Sequence, residues 1–152
     1  MPLSHPACLL ATWFGAGLLR PAPGTWGSLA ALPLAWIIVH FGSPLALAAA
    51  TIAVFAVGCW AGGVYERAGG GKDPGVVVID EVAGQWLVLI AAPLDPWYYI
   101  AAFVLFRLCD ITKPWPANWA ERRFTGGLGI MMDDIMAALY GVAAIAAFRI
   151  LI

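Results

Sequence analysis

Asp80-Glu81, Asp110 and Asp133-Asp134 sit inside or at the mouth of otherwise apolar stretches, each beside glycine, proline or a basic residue. An ionised side chain at a bilayer centre costs about 2.5–3.5 kcal/mol on insertion scales, so acids in such segments are functional candidates by default. Five of them, with no cysteine or histidine pair nearby, offer hard oxygen ligands. Such ligands suit Mg²⁺, which keeps part of its water shell and shares its remaining positions with substrate phosphate. A phosphate ester is therefore the substrate class this chemistry predicts. Arg20, Arg107 and Lys113 are the cations available to hold phosphate oxygens. Thr25 and Ser28 add hydroxyls near a helix start, where the dipole favours an anion.

These residues must be positioned by membrane segments. Of the 152 residues, 62% are hydrophobic and 11% charged, against about 25% charged in soluble domains. The chain reads as one all-α integral membrane domain over residues 1–152. Its net charge of −1 and the lack of a basic run give no nucleic-acid footprint, and no feature points to a protein partner. Met1 to Cys8 has no basic region ahead of an apolar stretch, so no removable leader is expected. Cys8, Cys59 and Cys109 lack metal or disulfide spacing and read as small buried hydrophobes. His5 and His40 are isolated and read as structural. The eight tryptophans suit interfacial anchoring.

The prolines and glycines of 15–28 predict turns. Apolar runs follow at 29–41, 45–64, 76–93, 97–108 and 134–152, separated by Gly42-Ser43-Pro44, the polar stretch 66–75, Leu94-Asp95-Pro96 and the long polar stretch 107–133. This predicts a bundle of about five membrane segments with a short helix on the cytoplasmic side. Gly126-Gly127-Leu128-Gly129 reads as a breaker and Asp133-Asp134 as the N-terminal turn of the last helix. With alternating directions, the loops at 15–28, 65–75 and 107–133 share one face. That face holds seven of the eight basic residues: Arg20, Arg67, Lys72, Arg107, Lys113, Arg122 and Arg123. The positive-inside rule makes it cytoplasmic, and the five carboxylates belong to it.

Each motif also has a purely structural reading. Pro23 to Ser28 suits a helix start, Arg107 and Asp110 a helix-face ion pair, Asp133-Asp134 simple caps, and Asp95 a turn. Adjacent Asp80 and Glu81 repel one another unless a cation joins them. A small divalent-cation or anion transporter is the competing function, but transport predicts polar groups across the midplane and a symmetric repeat. Neither is visible. No Cys-x5-Arg loop or Asp-x-Asp sequence supplies a phosphoenzyme nucleophile.

Four blocks resemble the bacterial phosphatidylglycerophosphatase A family: Pro23-Gly24-Thr25-x-Gly27-Ser28; Asp73-Pro74 with Val78-Ile79-Asp80-Glu81-x-x-Gly84; Phe106-Arg107-x-x-Asp110-x-x-Lys113-Pro114-Trp115-Pro116; and Gly126-Gly127-x-Gly129-Ile130-Met131-x-Asp133-Asp134. They occur in the family's order over nearly the whole chain. Arg20-Pro21 departs from the pattern, which places its proline earlier or its basic residue later. The resemblance implies an inner-membrane, multi-pass, Mg²⁺-dependent enzyme converting phosphatidylglycerophosphate to phosphatidylglycerol in phospholipid biosynthesis. It further implies that Asp80, Glu81, Asp110, Asp133 and Asp134 hold the metal and activate water, while Lys113 and Arg107 compensate charge at phosphorus.

Overall fold

The computed structural model describes residues 2–70 and 74–151, so Lys72 and Asp73 lie outside the described residues. Among the described residues every regular element is helical: α1 (Pro6–Ala11), a 3₁₀ turn (Ala16–Leu18), α2 (Pro23–Phe41), α3 (Pro44–Tyr65) with a π-turn after it (Glu66–Gly70), α4 (Ile79–Ile90), α5 (Pro96–Thr112), α6 (Ala117–Arg123) and α7 (Gly126–Leu151).

Local chemistry sets most of the helix starts. Proline opens α1, α2, α3 and α5, where its fixed φ suits the helix and its missing N–H costs no bond. Three of these helices also have side-chain caps. His5 Nδ1 accepts from the Ala7 N–H at 3.1 Å, Ser43 Oγ from Ala46 at 3.1 Å and Asp95 Oδ1 from Trp97 at 2.8 Å. The turn reading of Asp95 and the structural reading of His5 are thus realised as caps.

α2, α3 and α7 are long and apolar enough to cross a membrane by length and composition. α5 has 17 residues and α4 only 12, about 26 and 18 Å at 1.5 Å per residue. The apolar run at 76–93 is therefore only partly helical: the Val78 N–H donates to the Ala11 carbonyl at 2.8 Å before α4 begins. α4 packs against α2, α3, α5 and α7 at the centre of the bundle. Val82, Trp86, Val88 and Leu89 enter the main core with Ala31, Leu47, Phe106 and Ile145. Trp86 Nε1 donates to the Ala31 carbonyl at 2.8 Å, tying α4 to α2.

Two expectations are corrected. The turns of 15–28 end at Ala22, and Pro23 to Ser28 is already helix. Gly126 to Gly129 is not a breaker but the first turn of α7, so Asp133 and Asp134 lie two turns inside the helix and cap nothing. The glycines serve close approach instead. A Cβ on Gly127 would overlap the Cys59 carbonyl, and one on Gly58 would lie 2.5 Å from Met131 Sδ. Small residues let α3 and α7 backbones meet where side chains would hold them apart. Cys8 is buried, Cys59 and Cys109 are half-buried, and none of the three forms a disulfide.

Candidate active site

α4 and α7 run alongside one another with their N-terminal turns at the end of the bundle where α5 finishes. Asp80 and Glu81 occupy the first turn of α4, Asp110 the last turn of α5, and Asp133 and Asp134 the third turn of α7. Three segments distant in sequence thereby bring five carboxylates into one layer. Asp80, Asp110, Asp133 and Asp134 are each 94% or more buried, a placement that requires partners for their charge.

Lys113 supplies much of that partnership. Its Nζ lies 2.9 Å from Asp133 Oδ2, 3.1 Å from Asp110 Oδ1 and 3.7 Å from Asp134 Oδ1. It is also the C-cap of α5, at φ 46° and ψ 63°. A non-glycine residue in the left-handed region costs about 1–3 kcal/mol and persists only where its surroundings enforce it. Here the reversal turns the lysine back across the end of its own helix onto the acids. Burial works against the ammonium, but the fields of Asp134, Asp110 and Asp133 outweigh it and hold its pKa above the ordinary lysine value.

Arg107 is the second cation. It pairs with Asp110 one turn on and reaches within 4.0 Å of Glu81 Oε1. The helix-face ion pair thus exists as part of the cluster. Five acids against Arg107 and Lys113 leave a formal charge of −3 if all are ionised. Glu81 Oε2, Asp133 Oδ1 and Asp134 Oδ2 are buried without a hydrogen-bond partner. One oxygen each from Asp80, Glu81 and Asp134 lie within 4.8 Å of one another. Opposite ligands of a Mg²⁺ octahedron at 2.1 Å stand about 4.2 Å apart, so a small inward movement suffices to coordinate the ion. Excess negative charge, orphaned oxygens and spacing all fit a divalent cation.

Asp80, Glu81, Arg107, Asp110, Lys113 and Asp134 line a cleft of about 270 Å³ that opens beside the Pro74-Gly75 turn. Asp133 does not line this cleft; it joins the cluster through Lys113 and faces a second cavity. The remaining sequence candidates stand apart. Arg20 is exposed in the turn before α2, Thr25 is half-buried in the first turn of α2, and Ser28 is buried one turn deeper with an unpartnered hydroxyl. None of the three lines the cleft.

Gly24, part of a motif but given no role of its own, touches the cluster most directly from α2. A Cβ there would lie 2.6 Å from Glu81 Oε1 and 3.2 Å from both Arg107 Nη atoms. Gln85 was not anticipated either. It is fully buried one turn below Glu81 on α4, with both amide atoms unpartnered. Its signal was available, since it is the single glutamine in the chain and interrupts an apolar run.

The family model of phosphatidylglycerophosphatase A matches residues 9–149. The chain belongs to the phosphatidylglycerophosphatase A family. Among relatives of known name, phosphatidylglycerophosphatase A of Haemophilus influenzae is 40% identical over 97% of this chain and 91% of its own length. That of Escherichia coli is 39% identical over 91% of this chain and 81% of its own. A protein of Bacteroides thetaiotaomicron with the provisional name phosphatidylinositol-3-phosphatase is 42% identical over 93% of this chain and 92% of its own. No solved structure matches. Family membership agrees with the resemblance carried by the four sequence blocks.

Proposed function

We propose that this member of the phosphatidylglycerophosphatase A family is a divalent-metal-dependent lipid phosphatase. It hydrolyses phosphatidylglycerophosphate to phosphatidylglycerol and inorganic phosphate, in phospholipid biosynthesis. The observation that carries the site assignment is the convergence of five acids, Arg107 and Lys113 from α4, α5 and α7 at one end of an apolar bundle. A lipid head group reaches such a site while its acyl chains stay in the bilayer.

α4 and α5 supply the remaining two of five membrane segments, as a hairpin that enters from the site end and returns to it. The short α4 is surrounded by protein, so its length need not match the bilayer. The site end carries Arg20, Arg67, Arg107, Lys113, Arg122 and Arg123, whereas Arg149 lies near the opposite end of α7. By the positive-inside rule the site faces the cytoplasm, across the inner membrane of a bacterium.

Asp80, Glu81 and Asp134 are the principal ligands of Mg²⁺, with Asp110 and Asp133 completing its charge environment. The ion, when bound, supplies Lewis-acid polarisation of the phosphoryl oxygens. Arg107 and Lys113 bind and orient the phosphate and neutralise charge as it develops on the equatorial oxygens. A carboxylate of the cluster orients the attacking water and accepts its proton. The new P–O bond forms as the bond to the glycerol oxygen breaks, and that oxygen takes up a proton. Rate accelerations for phosphomonoester hydrolysis reach ~10²¹-fold, in keeping with so dense an arrangement of charge.

The test is phosphate release from phosphatidylglycerophosphate by the detergent-purified protein with Mg²⁺ or with EDTA, beside Asp80→Asn. We expect release in Mg²⁺, none in EDTA, and at least about a hundredfold loss in the variant, the scale of removing a transition-state contact. Near-normal turnover of Asp80→Asn would sink its ligand role. No release by folded wild-type protein would refute the phosphatase assignment.

A further inference from the structure

The cleft is not the only cavity at the site end of the bundle. Glu66, Glu121, Arg122, Thr125, Gly126 and Asp133 help enclose a second one of about 460 Å³, between the end of α3 and the α6–α7 junction. The Lys113–Asp133 ion pair stands between the two, because Lys113 lines one and Asp133 the other.

The polar groups of this second cavity are mismatched among themselves. Asp133 is 98% buried and gives Oδ2 to Lys113, but its Oδ1 has no hydrogen-bond partner. Glu66 Oε2 is likewise buried and unpartnered. Both oxygens need donors, since an unmatched buried acceptor carries its full desolvation cost. The exposed Arg122 and Thr125 offer donors from the other wall.

This combination selects an occupant. An apolar group would leave both carboxylate oxygens unmatched, and an anion on the acidic wall would face Glu66 and Asp133, leaving only the Arg122–Thr125 wall to receive negative charge. A metal ion would face Arg122. The acids that converge closely enough to chelate, among the described residues, are Asp80, Glu81 and Asp134 on the other side. A polyol satisfies every wall, because each hydroxyl both donates and accepts.

We propose that this cavity is the head-group subsite for the polyol portion of a phosphorylated polyol lipid, a reading that rests on the lipid-phosphatase assignment above. With the scissile phosphate in the cleft, the adjoining glycerol extends past Lys113. Its one free hydroxyl donates to Glu66 Oε2, and the second hydroxyl that is free in glycerol 1-phosphate donates to Asp133 Oδ1. The phosphodiester beyond it accepts from Arg122 and Thr125. Glu66 and Arg122 are therefore specificity-determining residues outside the carboxylate cluster.

Competitive inhibition of phosphatidylglycerophosphate hydrolysis by glycerol 1-phosphate and by inorganic phosphate tests the subsite in the full-length protein. Hydroxyls on buried carboxylates make glycerol 1-phosphate the better wild-type inhibitor by about tenfold or more. Glu66→Gln erases most of that margin by weakening glycerol 1-phosphate toward inorganic phosphate, whose own inhibition stays near the wild-type value, and raises KM for the lipid. Arg122→Met raises KM by about tenfold at similar kcat, as loss of ground-state binding requires. Equal inhibition by the two compounds in the wild type overturns the proposal without any variant. So does a margin that survives Glu66→Gln, or a loss confined to kcat in both variants. Absence of phosphate release by wild-type protein in Mg²⁺ refutes instead the lipid-phosphatase reading beneath it.

Discussion

Lys113 Nζ donates to Asp133 Oδ2 at 2.9 Å, joining the end of α5 to the third turn of α7 across twenty residues of sequence. The same ammonium donates to Asp110 at 3.1 Å, so one cation fixes the relative positions of two helices that carry the acids. Removing one partner of a buried ion pair costs about 3–5 kcal/mol, because the charge left behind has no compensation. Lys113→Met should therefore lower the stability of the metal-free protein by an amount of that order, and nearly abolish phosphate release. Thermal unfolding in EDTA, beside turnover in Mg²⁺, measures both effects.

The charge state of Lys113 gives a second prediction. Its folded pKa is raised by Asp134, Asp110 and Asp133 despite burial. For a group raised in this direction, the stabilisation is fully present below the unfolded lysine value of about 10.4 and fades only as pH rises through the higher folded value. Lys113 thus stays charged throughout the neutral and mildly alkaline range. Any alkaline limb of the pH–rate profile below about pH 10 belongs to another group. Lys113→Arg, which cannot lose its proton there, should leave that limb at the same pH. A limb that moves upward in the variant would assign it to Lys113 and refute the prediction.

Gln85 should behave unlike the acids. Its amide is fully buried with neither atom hydrogen-bonded to protein, and a buried polar group without partners costs about 1–3 kcal/mol. Gln85→Met keeps a long flexible side chain and removes that cost. We expect stability to rise by about 1 kcal/mol, with turnover within a factor of about two. A collapse of turnover in a stable variant would place Gln85 in the catalytic machinery.

The sequence exposed the chemistry more fully than the architecture. The carboxylates and basic residues are legible because charge inside apolar segments has few structural uses, and the alternation of segments alone puts Asp80, Asp110 and Asp134 at one end. The starts of α4 and α7 were not legible in the same way. Val76 to Val78 is as apolar as a helix interior, but its backbone pairs with Ala11, sixty-seven residues earlier. Gly126 to Gly129 can break a helix or let one approach another; only the Cys59 carbonyl against Gly127 decides between them. Arg20, Thr25 and Ser28 suit a phosphate site by residue type, but Arg20 is exposed in the turn before α2, Thr25 and Ser28 belong to α2 itself, and none of the three lines the cleft.

Gly24 and Gly127 separate function from folding by the kind of atom each faces. At Gly24, an added methyl meets the far ends of Glu81 at 2.6 Å and Arg107 at 3.2 Å, side chains that can withdraw, Arg107 by a few tenths of an ångström and Glu81 by more. Because Ala is favoured over Gly in a helix by about 1 kcal/mol, Gly24→Ala should leave stability within about that amount of the wild type. Its cost falls on the displaced carboxylate and guanidinium, and small misplacements at a reacting centre reach about a hundredfold in rate. We expect turnover to drop at least about tenfold, with a higher Mg²⁺ requirement. At Gly127 the added methyl meets backbone, and α3 cannot retreat without breaking its packing on α7. Gly127→Ala should cost at least the about 1–3 kcal/mol typical of overpacking, seen as a lower melting temperature in detergent at every Mg²⁺ concentration. If Gly24→Ala instead destabilised the fold as much as Gly127→Ala while the surviving protein turned over normally, the first turn of α2 would be a structural contact and no part of the site.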